Sequence, residues 1–360
     1  MDKDMKHTLL IALALLPVLA FGQKANELKY VDAQELMLIN QGFDNTEMPY
    51  SRLPEDMKPV TRKAVWDLGL NSAGLAVRFS TDSKTLGARW TLLNNFGMNH
   101  MAKSGVCGID FYALTEKGKW IFVGTAIPSG KESEKVVLRN MDGRMRDYMA
   151  YLPLYDGVTK VEFGVDSAAV IELPHNALLT KGTGKPIVFY GTSITQGGCA
   201  SRPGMVYTSI ISRELGKECI NLGFSGNARM DKALVESISR IDAEQYVIDC
   251  LPNCTTQTLK DSAYFFMTTL AKAHPDVPIY MVENVDYKYG ALDQKTAGDT
   301  VEKNAYWHEL YKRLRKEGCR NLVYIPEKDL SGDSECTVDG THRTDLGFWV
   351  MAQGFLKYIK

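Results

Sequence analysis

Ser193 stands in the run Gly191-Thr192-Ser193-Ile194-Thr195-Gln196-Gly197, two residues after a glycine that lets the chain turn. A serine hydroxyl is a poor nucleophile until a base takes its proton. The sequence offers that base in Asp339-Gly340-Thr341-His342, where a carboxylate precedes an imidazole by three residues. At that spacing one local turn brings Asp339 to one ring nitrogen of His342 and leaves the other to face a serine. A lone loop histidine is ordinarily a surface residue. An aspartate at this spacing, just before the last predicted helix, weakens that reading for His342; the other candidates are His100, His175, His274 and His308. The chemistry implied is acyl transfer, whose tetrahedral oxyanion needs preorganised N–H donors. Gly226, in Gly223-Phe224-Ser225-Gly226-Asn227, offers a backbone N–H. Asn253, in Leu251-Pro252-Asn253-Cys254, offers a side-chain amide, and the Ser193 N–H would complete a three-donor hole. Taken singly, Gly226 reads more readily as a turn residue and Asn253 as a helix cap; their force comes from falling in order at one sheet edge. Asp345 could also orient His342, but its place favours capping a last helix.

Other chemistries lack their signatures. The phosphate loop G-x-x-x-x-G-K-[ST] and the dinucleotide loop G-x-G-x-x-G are absent. The G-x-S-x-G elbow is absent too, because Thr195 stands where its second glycine belongs. There is no H-E-x-x-H, no EF-hand loop and no paired Cys/His spacing, so no metal and no cofactor is expected. A histidine acting as general base cannot at the same time ligate a metal.

The elements that must position these residues fall into two rhythms. Short β-rich segments are predicted at 65–68, 75–80, 85–92, 108–113, 119–123, 134–138, 160–165 and 169–173, separated by Gly/Asp/Ser/Lys clusters. That pattern predicts an antiparallel sandwich or barrel. A Gly-rich joint, 181–186, follows. Beyond it, strands at 187–190, 219–222, 246–250, 279–282 and 322–325 alternate with helices at 204–215, 231–240, 256–273, 298–317 and 345 to the end. Such alternation predicts a parallel sheet covered on both faces. Ligands bind such sheets at the carboxyl ends of the strands, which is where Ser193, Gly226 and Asn253 fall.

That ordered set resembles the SGNH, or GDSL-like, hydrolase family, whose blocks carry Ser, Gly, Asn and His in order. They fall here on Ser193, Gly226, Asn253 and His342, with Asp339 matching the family's acid. The serine block reads G-T-S-I-T rather than G-D-S, and the asparagine block L-P-N-C rather than G-x-N-D. Gly108-Ile109-Asp110-Phe111-Tyr112 is similar to the G-x-D-L-Y motif of a β-sandwich that precedes some bacterial SGNH esterases. The resemblance implies an α/β protein: a flavodoxin-like three-layer SGNH hydrolase domain with a parallel sheet, over 184–360. An all-β, jelly-roll-like sandwich, over 23–183, precedes it. It further implies a Ser193–His342–Asp339 triad and an oxyanion hole of Ser193, Gly226 and Asn253.

Composition bounds the rest. The chain has 360 residues with 45% hydrophobic, 10% aromatic and 24% charged, ordinary globular proportions that exclude a disordered or collagenous protein. Forty-two basic against 43 acidic residues leave −1, so no cationic surplus exists to neutralise phosphates and nucleic acid is not an expected partner. Residues 1–22 combine a Lys3/Lys6 head, an apolar run over 9–21 and Ala20-Phe21-Gly22, the pattern of a cleaved secretory signal. A periplasmic or secreted protein without an integral membrane segment is expected. Seven cysteines leave at least one unpaired. Buried free thiols are the favoured reading, with a Cys199–Cys336 bridge as the alternative. The expected activity is that of a serine esterase on short acyl esters, acetyl above all, of a small molecule or glycan. A lipid or thioester acylhydrolase and a non-catalytic glycan-binding protein are the alternatives. The loop 94–100 could reach the site, and Trp349, Tyr287 and Tyr289 could stack on sugar rings or serve as core.

Overall fold

A computed structural model describes residues 27–175 and 184–359. The leader expected over 1–22 and residues 181–183 of the joint lie outside the described residues.

The first part is built from ten strands: β1 (Leu28–Asp32), β2 (Met37–Ile39), β3 (Ala76–Thr81), β4 (Leu86–Leu92), β5 (Ile109–Leu114), β6 (Trp120–Ala126), β7 (Glu132–Leu138), β8 (Arg146–Tyr151), β9 (Val158–Asp166) and β10 (Ile171–Glu172). They form two antiparallel sheets, β1-β9-β4-β7 and β10-β3-β8-β5-β6, with β2 on β3. Phe79 and Phe111 of one sheet meet Phe163 of the other at 4.7 and 5.5 Å between ring centroids. Those aromatic contacts hold the sheets face to face, as expected of a sandwich.

The segment predicted as a strand over 65–68 is instead helix α1 (Lys63–Gly69). Its residues are β-prone, but Val65 and Trp66 lie on one helical face and are buried against the parallel sheet. Tertiary burial of that face outweighs local propensity. A single turn, α2 (Lys103–Val106), precedes β5.

The second part holds five parallel strands, β11 (Ile187–Gly191), β12 (Cys219–Gly223), β13 (Gln245–Asp249), β14 (Ile279–Val282) and β15 (Leu322–Ile325). Their order is β12-β11-β13-β14-β15, the flavodoxin-like arrangement. The helices are α3 (Ser193–Gln196), α4 (Tyr207–Leu215), α5 (Lys232–Ile238), α6 (Thr256–Ala273), α7 (Gln294–Lys316) and α8 (Asp345–Phe355). Leu259, Ala263, Phe266, Met267 and Leu270 give α6 a buried stripe at helical spacing, and the Thr255 hydroxyl caps its first turn. Thr344, not Asp345, caps α8; Asp345 instead accepts hydrogen bonds from Ser201 N–H (2.9 Å) and from its hydroxyl.

Among the described residues, two large cores and a small cluster around Tyr112, Met149 and Tyr151 hold the molecule together. One joins the sandwich interior to the sheet face carrying Ile187 and Phe189 and to α4 and α8. The other packs α5, α6 and α7 on the opposite face, together with Phe43, Leu53, Val65 and Trp66. The stretch between β2 and β3 therefore leaves the sandwich and closes over the second part. Buried Arg52 is its anchor, donating to the carbonyls of Leu68 (2.6 Å), Asn71 (2.9 Å), Asn221 (3.0 Å) and Gly223 (2.8 Å). Burial pulls its guanidinium down to about 9. Among the described residues, no helix is long and apolar enough to cross a membrane.

Candidate active site

Strand β11 lies between β12 and β13, where the strand order reverses, and its carboxyl end is the expected ligand crevice. Ser193 opens α3 directly after that end and is 7% exposed. A Cβ on Gly191 would stand 1.9 Å from Thr195 Oγ1, so only glycine permits this tight turn. The Ser193 N–H lies in the first turn of α3, where amides lack intrahelical partners. The Ser193 carbonyl is engaged three times, by Gly197 N–H (2.9 Å), Gly198 N–H (2.7 Å) and the Tyr155 hydroxyl (3.2 Å).

A short loop before α8 presents the partners. It is closed by a bridge between Thr337 and Arg343 and by Val338 N–H donating to the His342 carbonyl at 2.8 Å. His342 Nδ1 lies 2.7 Å from Asp339 Oδ2, and Nε2 lies 2.9 Å from Ser193 Oγ. An ionised carboxylate can only accept, so Nδ1 carries the proton and Nε2 accepts from the serine hydroxyl. Partial burial alone would raise the Asp339 carboxyl. Hydrogen bonds from the His342 ring, the His342 N–H (2.8 Å) and the Thr341 N–H (3.0 Å) outweigh that and hold it below its ordinary value. Asp339 therefore stays anionic and able to stabilise an imidazolium.

The donor loops follow β12 and β13. Gly226 has φ +67, is exposed, and a Cβ there would meet nothing within 4 Å. Asn253 Oδ1 accepts from Ala228 N–H at 3.2 Å, which ties the two loops together and leaves the NH2 end as a donor. The residue types gave no signal for the brace beneath them. Gln196 is fully buried; its Oε1 accepts from Ser225 N–H (3.0 Å), and its Nε2 donates to Asn71 Oδ1 (3.0 Å) and the Leu154 carbonyl (3.1 Å). One side chain thus links the serine turn, the Gly226 loop and the sandwich.

The loop 94–100 does reach the site, with the His100 and His342 ring centroids 5.8 Å apart. Buried Asp156 anchors it, accepting from Asn94 N–H (3.0 Å) and Phe96 N–H (2.8 Å). All seven cysteines are free thiols; six are buried, and the Cys199–Cys336 bridge is not formed.

Beneath the serine turn, Asp249 is 3% exposed and accepts from the Tyr207 hydroxyl at 3.1 Å. Burial pushes its carboxyl up to about 6, against the opposing pull of Tyr207, Arg343 and Thr195. The folded state therefore binds more protons than the unfolded state between about pH 4 and about pH 6, and stability falls as pH rises through that window. The linked change is at most roughly 3 kcal/mol. Asp249→Asn is expected to remove this share. Thermal denaturation at both ends of the window reads it, and an unchanged difference between variant and wild type would refute the buried-acid account.

A Ser–His–Asp hydrogen-bond chain at the switch point of a 2-1-3-4-5 sheet defines a three-layer serine hydrolase. Residues 184–360 match the GDSL-like lipase/acylhydrolase family, and residues 28–171 match the N-terminus of SGNH-hydrolase-type esterases. The crystal structure of a GDSL-like lipase from Bacteroides ovatus is 37% identical and covers 92% of this chain and 96% of that chain, with a TM-score of 0.85. The chain belongs to the GDSL-like, or SGNH, hydrolase family and is a carboxylic ester hydrolase. Two more distant structures share the fold. A salicylyl-acyltransferase of a tetracycline biosynthetic pathway is 15% identical, covering 91% and 95% of the two chains, at TM-score 0.71. A family two carbohydrate esterase from Clostridium thermocellum, in complex with cellohexaose, is 14% identical, covering 80% and 92%, at 0.55. No curated protein matches the chain.

Proposed function

We propose that the protein is an exported serine esterase that removes short acyl groups, acetyl above all, from acylated carbohydrate. The observation that carries this reading is the unbroken chain from Asp339 through His342 to Ser193 Oγ. In the proposed cycle His342 takes the serine proton as Oγ attacks the ester carbonyl, and the carbonyl π pair moves onto oxygen. The Ser193 N–H, the Gly226 N–H and the Asn253 amide hold that oxyanion. Collapse expels the alcohol, which takes the proton from His342. Water then attacks the acyl-enzyme with the same base and releases the acid. Asp339 keeps the imidazole in the required tautomer and favours its charged form.

Asn253→Ala is expected to lower kcat on the order of 10²–10³-fold with a smaller change in KM, because the donor acts where charge develops. Steady-state kinetics reads this, and a kcat near that of the wild type removes Asn253 from the hole.

The carbohydrate part of the reading draws on Tyr289, 42% exposed, whose ring lies against Gly340 of the Asp339–His342 loop. An exposed ring beside the triad is suited to stack on a sugar, and Trp349 is similarly exposed. The fold shared with family two carbohydrate esterases points the same way. The reading divides the chain into a cleaved leader (1–22), the sandwich (23–183) and the catalytic part (184–360). Initial rates on p-nitrophenyl acetate and octanoate, followed by acetate release from acetylated oligosaccharides, test it. Preference for octanoate moves the assignment to lipids, and the absence of any serine-dependent rate favours a glycan-binding protein.

A further inference from the structure

His100, Cys199, Asp339 and His342 each bring one ligand atom into a cluster in which all four atoms lie within 4.8 Å of one another. Three separate stretches contribute: the sandwich loop, the chain just after α3, and the loop before α8. We propose that this cluster is an inhibitory site for a borderline-soft divalent cation, specifically Zn²⁺, and that its occupancy switches the hydrolase off.

The donor set of two imidazoles, a thiolate and a carboxylate is one that zinc takes. The charges balance, because thiolate and carboxylate offset the ion while both imidazoles bind neutral. A tetrahedral site with bonds of about 2.0–2.3 Å sets ligand atoms about 3.3–3.8 Å apart, so small side-chain rotations close the cluster. The protein fills all four positions and leaves none for water or substrate, unlike a catalytic zinc. The Cys199 thiol proton passes to solvent on binding, and nothing is oxidised or reduced.

The two residues outside the triad are held in place. Cys199 sits at φ +71, a conformation its Cβ disfavours, directly after Gly197-Gly198, and its side chain is buried. His100 is exposed; its Nδ1 pairs with Asn99 Oδ1 at 3.0 Å, which leaves Nε2 for the ion. Metal binding takes His342 and Asp339 out of the Ser193 chain, so occupancy and catalysis exclude each other.

The binding half of the proposal stands apart from the esterase reading; the inhibitory half rests on it. The test therefore begins with Ser193→Ala, which keeps all four ligands and lacks the nucleophile. Calorimetric titration with ZnCl₂ at near-neutral pH is expected to show one site per chain. Adding Cys199→Ser or His100→Ala is expected to weaken it by about tenfold or more. Co²⁺ loading is expected to give a thiolate-to-metal charge-transfer band that Cys199→Ser abolishes. With Ser193 restored, Zn²⁺ is expected to block p-nitrophenyl acetate hydrolysis and EDTA to restore it. Cys199→Ser and His100→Ala are expected to hydrolyse normally without metal and to resist the block. No binding isotherm, or one unchanged in both ligand variants, overturns the site. Binding without inhibition in the active protein overturns the switch.

Discussion

Ser193→Ala is expected to lower kcat for p-nitrophenyl acetate on the order of 10⁶-fold while leaving the fold intact. The loss is large because the proposed mechanism has no second nucleophile, and the base and acid act only through that oxygen. The fold survives because the Ser193 hydroxyl pairs with His342, whereas the turn is held by the Ser193 carbonyl, which alanine keeps. Alanine is also well tolerated in a first helical turn. Circular dichroism and melting temperature should match the wild type, which separates chemical loss from unfolding. His342→Ala should cost nearly as much, and the double variant little more than either single one, since the residues act as a unit. A Ser193→Ala protein that kept more than roughly a hundredth of the wild-type rate would place the nucleophile elsewhere.

The parallel sheet was legible because its strands are short apolar runs buried on both faces, separated by amphipathic helices. Val188-Phe189-Tyr190 and Ile279-Tyr280-Met281-Val282 have no polar face to confuse the period. The sandwich was less legible. Strand β8 reads Arg-Asp-Tyr-Met-Ala-Tyr, without clean alternation, because four consecutive residues, Tyr148 to Tyr151, are buried between neighbours on both sides. Strands β1 and β2 were not expected at all; β1 pairs with β9, more than a hundred residues away, and such pairing leaves little local trace. Helix α1 was misassigned because Val65-Trp66 favours a strand until the sheet face it covers is known.

The candidate site divides along the same line. The Asp339/His342 pair could be anticipated because three-residue spacing is a local constraint. The Ser193 turn could be anticipated because the glycine and the strand end are adjacent in sequence. Gln196, Tyr155 and Arg52 could not. Each is an ordinary polar residue whose importance comes from partners such as Ser225, Ser193 and Asn221, set side by side only by the tertiary fold. Cys199 entered the sequence reading only as a possible bridge partner of Cys336, and its left-handed backbone is a property of the folded loop.

Asp110→Ala is expected to cost the fold more than any of the substitutions at Ser193, His342 or Asn253. The Asp110 side chain is fully buried and accepts from Arg202 Nη1 (2.8 Å), Gly204 N–H (2.9 Å) and the Thr125 hydroxyl. Burial raises its carboxyl, with Arg202 the chief opposing influence. Arg202 in turn donates to the Tyr112 hydroxyl and lies 3.8 Å over the Phe122 ring. The Asp110–Arg202 pair thus clamps the sandwich to the 199–206 segment that leads from the serine turn into α4. Removing the acid leaves a mostly buried cation and an orphaned amide, at a cost of about 3 kcal/mol, the low end for such a break because Arg202 keeps some solvent. For a chain of this size that corresponds to a fall of about 5 °C in Tm. Loosening the 199–206 segment should lower kcat as well, since the serine turn is braced through it. Asp110→Ala combined with Arg202→Met is expected to recover part of the lost stability, because replacing both charges removes the unpaired one and keeps the contact with Phe122. Equal melting temperatures for Asp110→Ala and the wild type would show that the pair is dispensable. A double variant less stable than the sum of the two singles would show that Arg202 is held by the aromatic rings rather than by the acid.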